Sequence, residues 1–73
     1  MYKNLGEMLR GAQALNYTVG AFNAHNLEMV PAMITAAKDA GAPIIIQTSV
    51  GTAEYVGMKN FVAICRSMAD DLL

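Results

Sequence analysis

Two short polar stretches hold most of the side chains that could do chemistry: Asn23-Ala24-His25-Asn26 and Ser49-Val50-Gly51-Thr52. The first directly follows a short apolar run, and the second follows one after Gln47 and Thr48. In parallel α/β folds that is where reactive groups gather, at the C-terminal ends of strands and in the loops leading to the helices. His25 is the only imidazole and Cys65 the only thiol. A catalytic zinc site takes three protein ligands and an open position, so His and Cys of this one chain do not complete one. With one His and no Gly-x-Ser-x-Gly elbow, Ser49 has no support as a triad nucleophile. Lys3, Lys38 and Lys59 fall at helical or terminal positions rather than on a buried strand, which disfavours a Schiff-base lysine. No Gly-x-Gly-x-x-Gly or P-loop pattern suggests a nucleotide. Plainer roles fit the same residues: turns and helix caps for Asn23 and Asn26, a loop hydroxyl for Ser49, a small core residue for Cys65. Glu54 and Tyr55 then read as a solvated loop residue and an aromatic anchor.

The elements that must position these residues are legible in outline. Asn4 and Glu7 are spaced as a capping box, and Leu5, Met8, Leu9, Ala12 and Leu15 recur on one face, predicting a helix over roughly 4–15. The β-branched and aromatic run after Asn16 predicts a strand over about 18–22. Asn26 can cap a second helix, apolar over a wide arc through Leu27, Val30, Ile34 and Ala37 and through Met29, Met33, Ala36 and Ala40. Pro31 conflicts with a start at Asn26, so the helix either begins nearer Glu28 or bends. Gly41 and Pro43 end it. Ile44-Ile45-Ile46-Gln47-Thr48 lacks alternation and predicts a strand covered on both faces, as in parallel sheets flanked by helices. After a Gly-containing loop, Met58, Phe61, Val62, Cys65, Met68, Ala69 and Leu72 mark a final amphipathic helix.

Composition bounds the answer from the other side. The chain has 73 residues, 15% charged and 55% hydrophobic, with five Lys and Arg against six Asp and Glu. Soluble domains average roughly 25% charged residues, and a small free-standing body has more surface to wet, not less. The excess of apolar surface therefore implies a part of a larger fold. Scattered charge gives no basic stripe for nucleic acid. One Cys excludes the disulfide-stapled class and points to a reducing compartment. No apolar run approaches the roughly 20 residues that span a bilayer, and the N-terminus lacks a signal-peptide layout, so the expectation is a cytoplasmic protein with neither membrane nor nucleic-acid partners. Two βα units cannot close a barrel, which needs eight and roughly 250 residues, and the edges of a two-stranded ribbon stay open.

The stretch Gly20-Ala21-Phe22-Asn23-Ala24-His25-Asn26-Leu27-Glu28, then Ala42-Pro43-Ile44-Ile45-Ile46-Gln47-Thr48-Ser49-Val50-Gly51 and Tyr55-Val56-Gly57, resembles the amino-terminal quarter of the class II, zinc-dependent ketose-bisphosphate aldolases. The resemblance covers nearly the whole chain. It implies an α/β chain made of the leading helix and the first two βα units of a TIM (β/α)8 barrel, incomplete and without a second domain. It implies cleavage of fructose or tagatose 1,6-bisphosphate to dihydroxyacetone phosphate and glyceraldehyde 3-phosphate, with zinc as the Lewis acid. It assigns Asn23 and Ser49 to substrate binding, neither as a metal ligand, and leaves His25 structural. The family's three zinc histidines and its catalytic aspartate fall beyond Leu73, so the expectation is that this chain alone binds no zinc and catalyses nothing. Its partner is then the remainder of the barrel, with a sugar bisphosphate as the substrate of the whole. An alternative of another class is a non-catalytic α/β module that self-associates through its sheet edges.

Overall fold

Local chemistry starts and stops the first helix. The Asn4 side chain accepts the Glu7 N–H at 3.3 Å, opening helix α1 (Leu5–Leu15). Asn16 adopts the left-handed conformation at φ 58° that lets its N–H and that of Tyr17 close on the last turn. The computed structural model describes residues 2–73 and continues through strand β1 (Gly20–Asn23), helix α2 (Met29–Ala40), strand β2 (Ile44–Gln47), helix α3 (Val50–Val56) and helix α4 (Met58–Leu72).

Strand limits are set by pairing rather than propensity. The two strands run parallel, with Gly20 opposite Ile44 and Asn23 opposite Gln47. Pro43 precedes Ile44 and has no N–H to donate, so Thr18 and Val19 find no rung and the first strand begins two residues later than their residue types suggest. α2 begins at Met29, with Glu28 at its cap, so Pro31 sits in the first turn, where its missing N–H is no loss. The start near Glu28 is therefore the correct alternative. Asn26 contributes from outside the helix, accepting the Met29 N–H at 3.0 Å. Gly41, at φ 62°, ends α2 in a conformation costly for any residue with a Cβ.

One element differs in kind from its expectation. Residues that read as a Gly-containing loop after β2 form helix α3, capped where the Ser49 hydroxyl accepts the Thr52 N–H at 3.2 Å. Gly57, at φ 94°, then turns the chain sharply into α4. The apolar signal of α3 is faint because only Thr52, Ala53 and Val56 are partly covered, while Tyr55 is 92% exposed.

Helices α2 and α4 pack together, and the buried core is small: Ala24, Val30, Ile34 and Ala69, with Ile46, Phe61 and Met68 packed against it. Phe22 and Ile44 share a groove with α2, so alternation along the strands places Ala21, Asn23, Ile45 and Gln47 on the opposite sheet face, the one away from α2. The isoleucines of β2 are accordingly half-buried rather than covered on both sides. Leu5, Leu9 and Leu15 of α1 are about half exposed or more. The radius of gyration is 12.7 Å, against about 11 Å for a compact domain of this length. The accessible surface is 5206 Å², against roughly 4,400 Å² for a compact monomer of this mass. The described residues therefore form an open slab.

With so little buried apolar volume, Ile34, 5% exposed at the centre of the core, has no substitute. Truncation of a buried Ile to Ala costs about 2–5 kcal/mol, as much as a body this small has to lose. Ile34→Ala is expected to abolish cooperative urea unfolding followed by circular dichroism; a transition retained near the parent midpoint would place the stabilising contacts elsewhere.

Candidate functional site

Parallel register brings the first loop against the second. On the last rung Gln47 Nε2 donates to Asn23 Oδ1 at 2.7 Å. That bond fixes the Asn23 amide with its oxygen committed and leaves the Nδ2 protons available as donors. Just past the strands, the Ala24 N–H donates to the Gln47 carbonyl at 2.8 Å, and the Thr48 hydroxyl donates to the Ala24 carbonyl at 2.7 Å. Ala24 is fully buried beneath these contacts, where a larger side chain would part the loops.

One residue further, Ser49 caps α3 and its hydroxyl donates to Thr52 Oγ1 at 3.1 Å. The Thr52 oxygen also lies 3.3 Å from His25 Nδ1, reaching across from the second loop to the first. Asn23, His25 and Ser49, singled out from the sequence, thus lie at one end of the ribbon in two adjoining hydrogen-bonded groups. Asn26 stays with its turn, and Glu54 and Tyr55 are exposed on α3.

Gln47 and Thr48 escaped sequence reading, and Thr52, though inside the second polar stretch, drew no role from it. Thr52 had a usable signal, since Ser49-x-x-Thr52 has the spacing of a cap and its third helical residue. Gln47 had none, because its partner is fixed only by register.

The cluster is an open surface rather than a cavity. A groove of about 730 Å³ runs between α1, β2 and α4, lined by apolar residues such as Leu5, Met8, Ile45 and Phe61, and it borders none of Asn23, His25, Ser49 or Thr52. Two strands supply too little wall to enclose anything at their ends. Cys65 lies apart on α4 against the core, where burial pushes its thiol pKa up and favours the neutral, unreactive form.

The fold and this cluster describe a parallel α/β segment with its polar groups at the strand ends. The chain matches the family described as Fructose-bisphosphate aldolase class-II over residues 3–72, and it belongs to that family. It is 44% identical over 62 residues to the D-tagatose-1,6-bisphosphate aldolase subunit GatY of Klebsiella oxytoca, an alignment that covers 85% of this chain and 22% of that protein. The chain thus spans about a fifth of the length of this curated relative. No solved structure matches it.

The family is generally zinc-dependent, and the residues of this chain do not fit that ion. Among the described residues no three His, Cys, Asp or Glu side chains gather. His25 is engaged by Thr52, while Cys65 faces the core on another element. Also among the described residues, no helix is long and apolar enough to cross a membrane.

Loss of the Ser49 cap has a measurable local consequence. Ser49→Ala is expected to destabilise α3 by about 1 kcal/mol, seen as roughly fivefold faster hydrogen exchange of the Thr52 amide. Ser49→Asn, another good capping residue, should restore most of the protection; unchanged exchange in the Ala variant would mean that the cap is not what holds α3.

Proposed function

We propose that this chain supplies the leading helix and first two βα units of a class II ketose-bisphosphate aldolase barrel, and that Asn23 and Ser49 bind the sugar bisphosphate there. The observation that carries this reading is the Gln47–Asn23 bond on the sheet face away from α2, at the C-terminal end of the ribbon. In a (β/α)8 barrel the strand face away from the crossover helices lines the interior, and the C-terminal strand ends form the mouth where substrate sits. Asn23 would offer its amide protons to oxygens of the substrate or its enediolate, and Ser49 would meet the aldehyde portion. The reaction is aldehyde-lyase cleavage of fructose or tagatose 1,6-bisphosphate into dihydroxyacetone phosphate and glyceraldehyde 3-phosphate. The tagatose-bisphosphate relative supports this substrate class. Zinc binding and proton transfer fall to residues outside these 73, so the chain by itself is inactive.

A chimera tests the reading: the aligned segment of the Klebsiella oxytoca protein is replaced by this chain, and tagatose 1,6-bisphosphate cleavage is measured. Turnover abolished by a chelator is expected, with Asn23→Ala lowering kcat/KM about a hundredfold, the scale of one lost oxyanion donor. A folded chimera whose Asn23→Ala variant keeps full kcat/KM would overturn the assignment, as chelator-sensitive turnover by the isolated chain would overturn its inactivity.

A second reading, the self-associating module, is favoured by the outer edges of the two-stranded sheet, which have no partner strand among the described residues. Sedimentation velocity separates the two. A barrel segment alone is expected to give a monomer or a concentration-dependent smear, whereas one discrete oligomer supports the module.

A further inference from the structure

The hydroxyls at the end of β2 form a directed chain that the imidazole of the other loop terminates. Three protons are available to it. The Thr52 N–H goes to Ser49 Oγ at 3.2 Å, and the Ser49 O–H goes to Thr52 Oγ1 at 3.1 Å. The third, the Thr52 O–H, has His25 Nδ1 at 3.3 Å. A hydroxyl has one proton to give and two lone pairs to receive with. With Nδ1 unprotonated, every one of these protons has an acceptor. With Nδ1 protonated and Ser49 still donating, Thr52 Oγ1 would receive two protons while its own went unused in the cluster. With Ser49 donating to Thr52 the pairing is complete for the imidazole that carries its proton on Nε2, whereas the reversed order, Nδ1–H to Thr52 and the Thr52 O–H to Ser49, would turn the Ser49 proton outward.

We propose that His25 and Thr52 are positioning residues for Ser49: the imidazole, acting through the Thr52 hydroxyl, commits the Ser49 proton inward, so that Ser49 turns a lone pair outward. The inference rests on the reading of Ser49 as a substrate contact and narrows it. The Ser49 proton is spent on Thr52 and one lone pair on the Thr52 N–H, so what remains is a single acceptor. Such a group takes a hydroxyl proton of the sugar and has nothing to donate to a phosphate or carbonyl oxygen. It also ties the two loops across the ribbon, giving His25 a role that needs neither a metal nor proton transfer.

Because His25 is the only imidazole, its ring nitrogens can be read without ambiguity by two-bond proton–nitrogen correlation on the labelled 73-residue chain. The expected result is that the neutral form of the ring carries its proton on Nε2, with a shift of the Nδ1 resonance in Thr52→Val that Thr52→Ser does not produce. An Nδ1-protonated neutral ring would overturn the proposal. Kinetics in the chimera supply an arm that does not depend on the isolated chain. Thr52→Val is expected to raise KM about five- to tenfold with little change in kcat, the scale of one hydrogen bond in uniform binding. Thr52→Ser should restore it, and the double variant His25→Phe with Thr52→Val should be no worse than Thr52→Val alone. If Ser49→Ala leaves KM unchanged, the substrate-contact reading fails and the proposal with it. If Ser49→Ala raises KM while Thr52→Val and His25→Phe do not, that reading stands and the positioning role is refuted.

Discussion

The four-residue parallel ladder between β1 and β2 is the constraint on which the rest depends. Parallel strands cannot be joined by a tight turn, so the pairing of Gly20 with Ile44 requires α2 as a crossover. That crossover in turn brings Val30 and Ile34 down beside Ile46. The same register sets Asn23 against Gln47 and seats the Ala24 carbonyl under the Thr48 hydroxyl. A slip of one residue would turn Asn23 toward α2 and Phe22 onto the opposite face, removing core and site together.

Around that ladder the helices are held largely by their ends. Lys38, in the last turn of α2, donates to the Leu72 carbonyl at 3.0 Å, closing the C-terminus of α4 with a charge of favourable sign. The Tyr2 hydroxyl lies 2.8 Å from the Arg66 carbonyl and 3.0 Å from Asp70 Oδ1, within donating reach of both, and the Arg66 guanidinium sits 5.0 Å above its ring. These contacts fasten the start of the chain and the end of α2 to the same helix. They are exposed, and bonds of this kind contribute little each. What they do not supply is a cover for the leucines of α1 or for the sheet face away from α2, which agrees with a chain that spans a fifth of its relative.

Much of this was legible beforehand because it is local. Asn4 and Glu7 announce α1, Gly41 and Pro43 announce the end of α2, and the run from Met58 to Leu72 repeats at helical spacing strongly enough to survive any context. Helix α3 escaped because a short helix lying mostly in solvent has no need of an apolar stripe, and its one strong signal, the Ser49 cap, also fits a loop. Thr18 and Val19 have strand-forming side chains but no partner beyond Pro43, so propensity overran the ladder.

The sequence alone determined the order of the two strands and the three longer helices, the polar stretches at the strand ends and the family resemblance, since each of these resides in neighbouring residues and their spacing. Tertiary structure decided which of those polar residues meet. Asn23 and Gln47 are 24 positions apart and His25 and Thr52 are 27, and nothing in either stretch names its partner. The choice follows from one parallel register, and a register is a property of two strands docked together, written in neither of them separately.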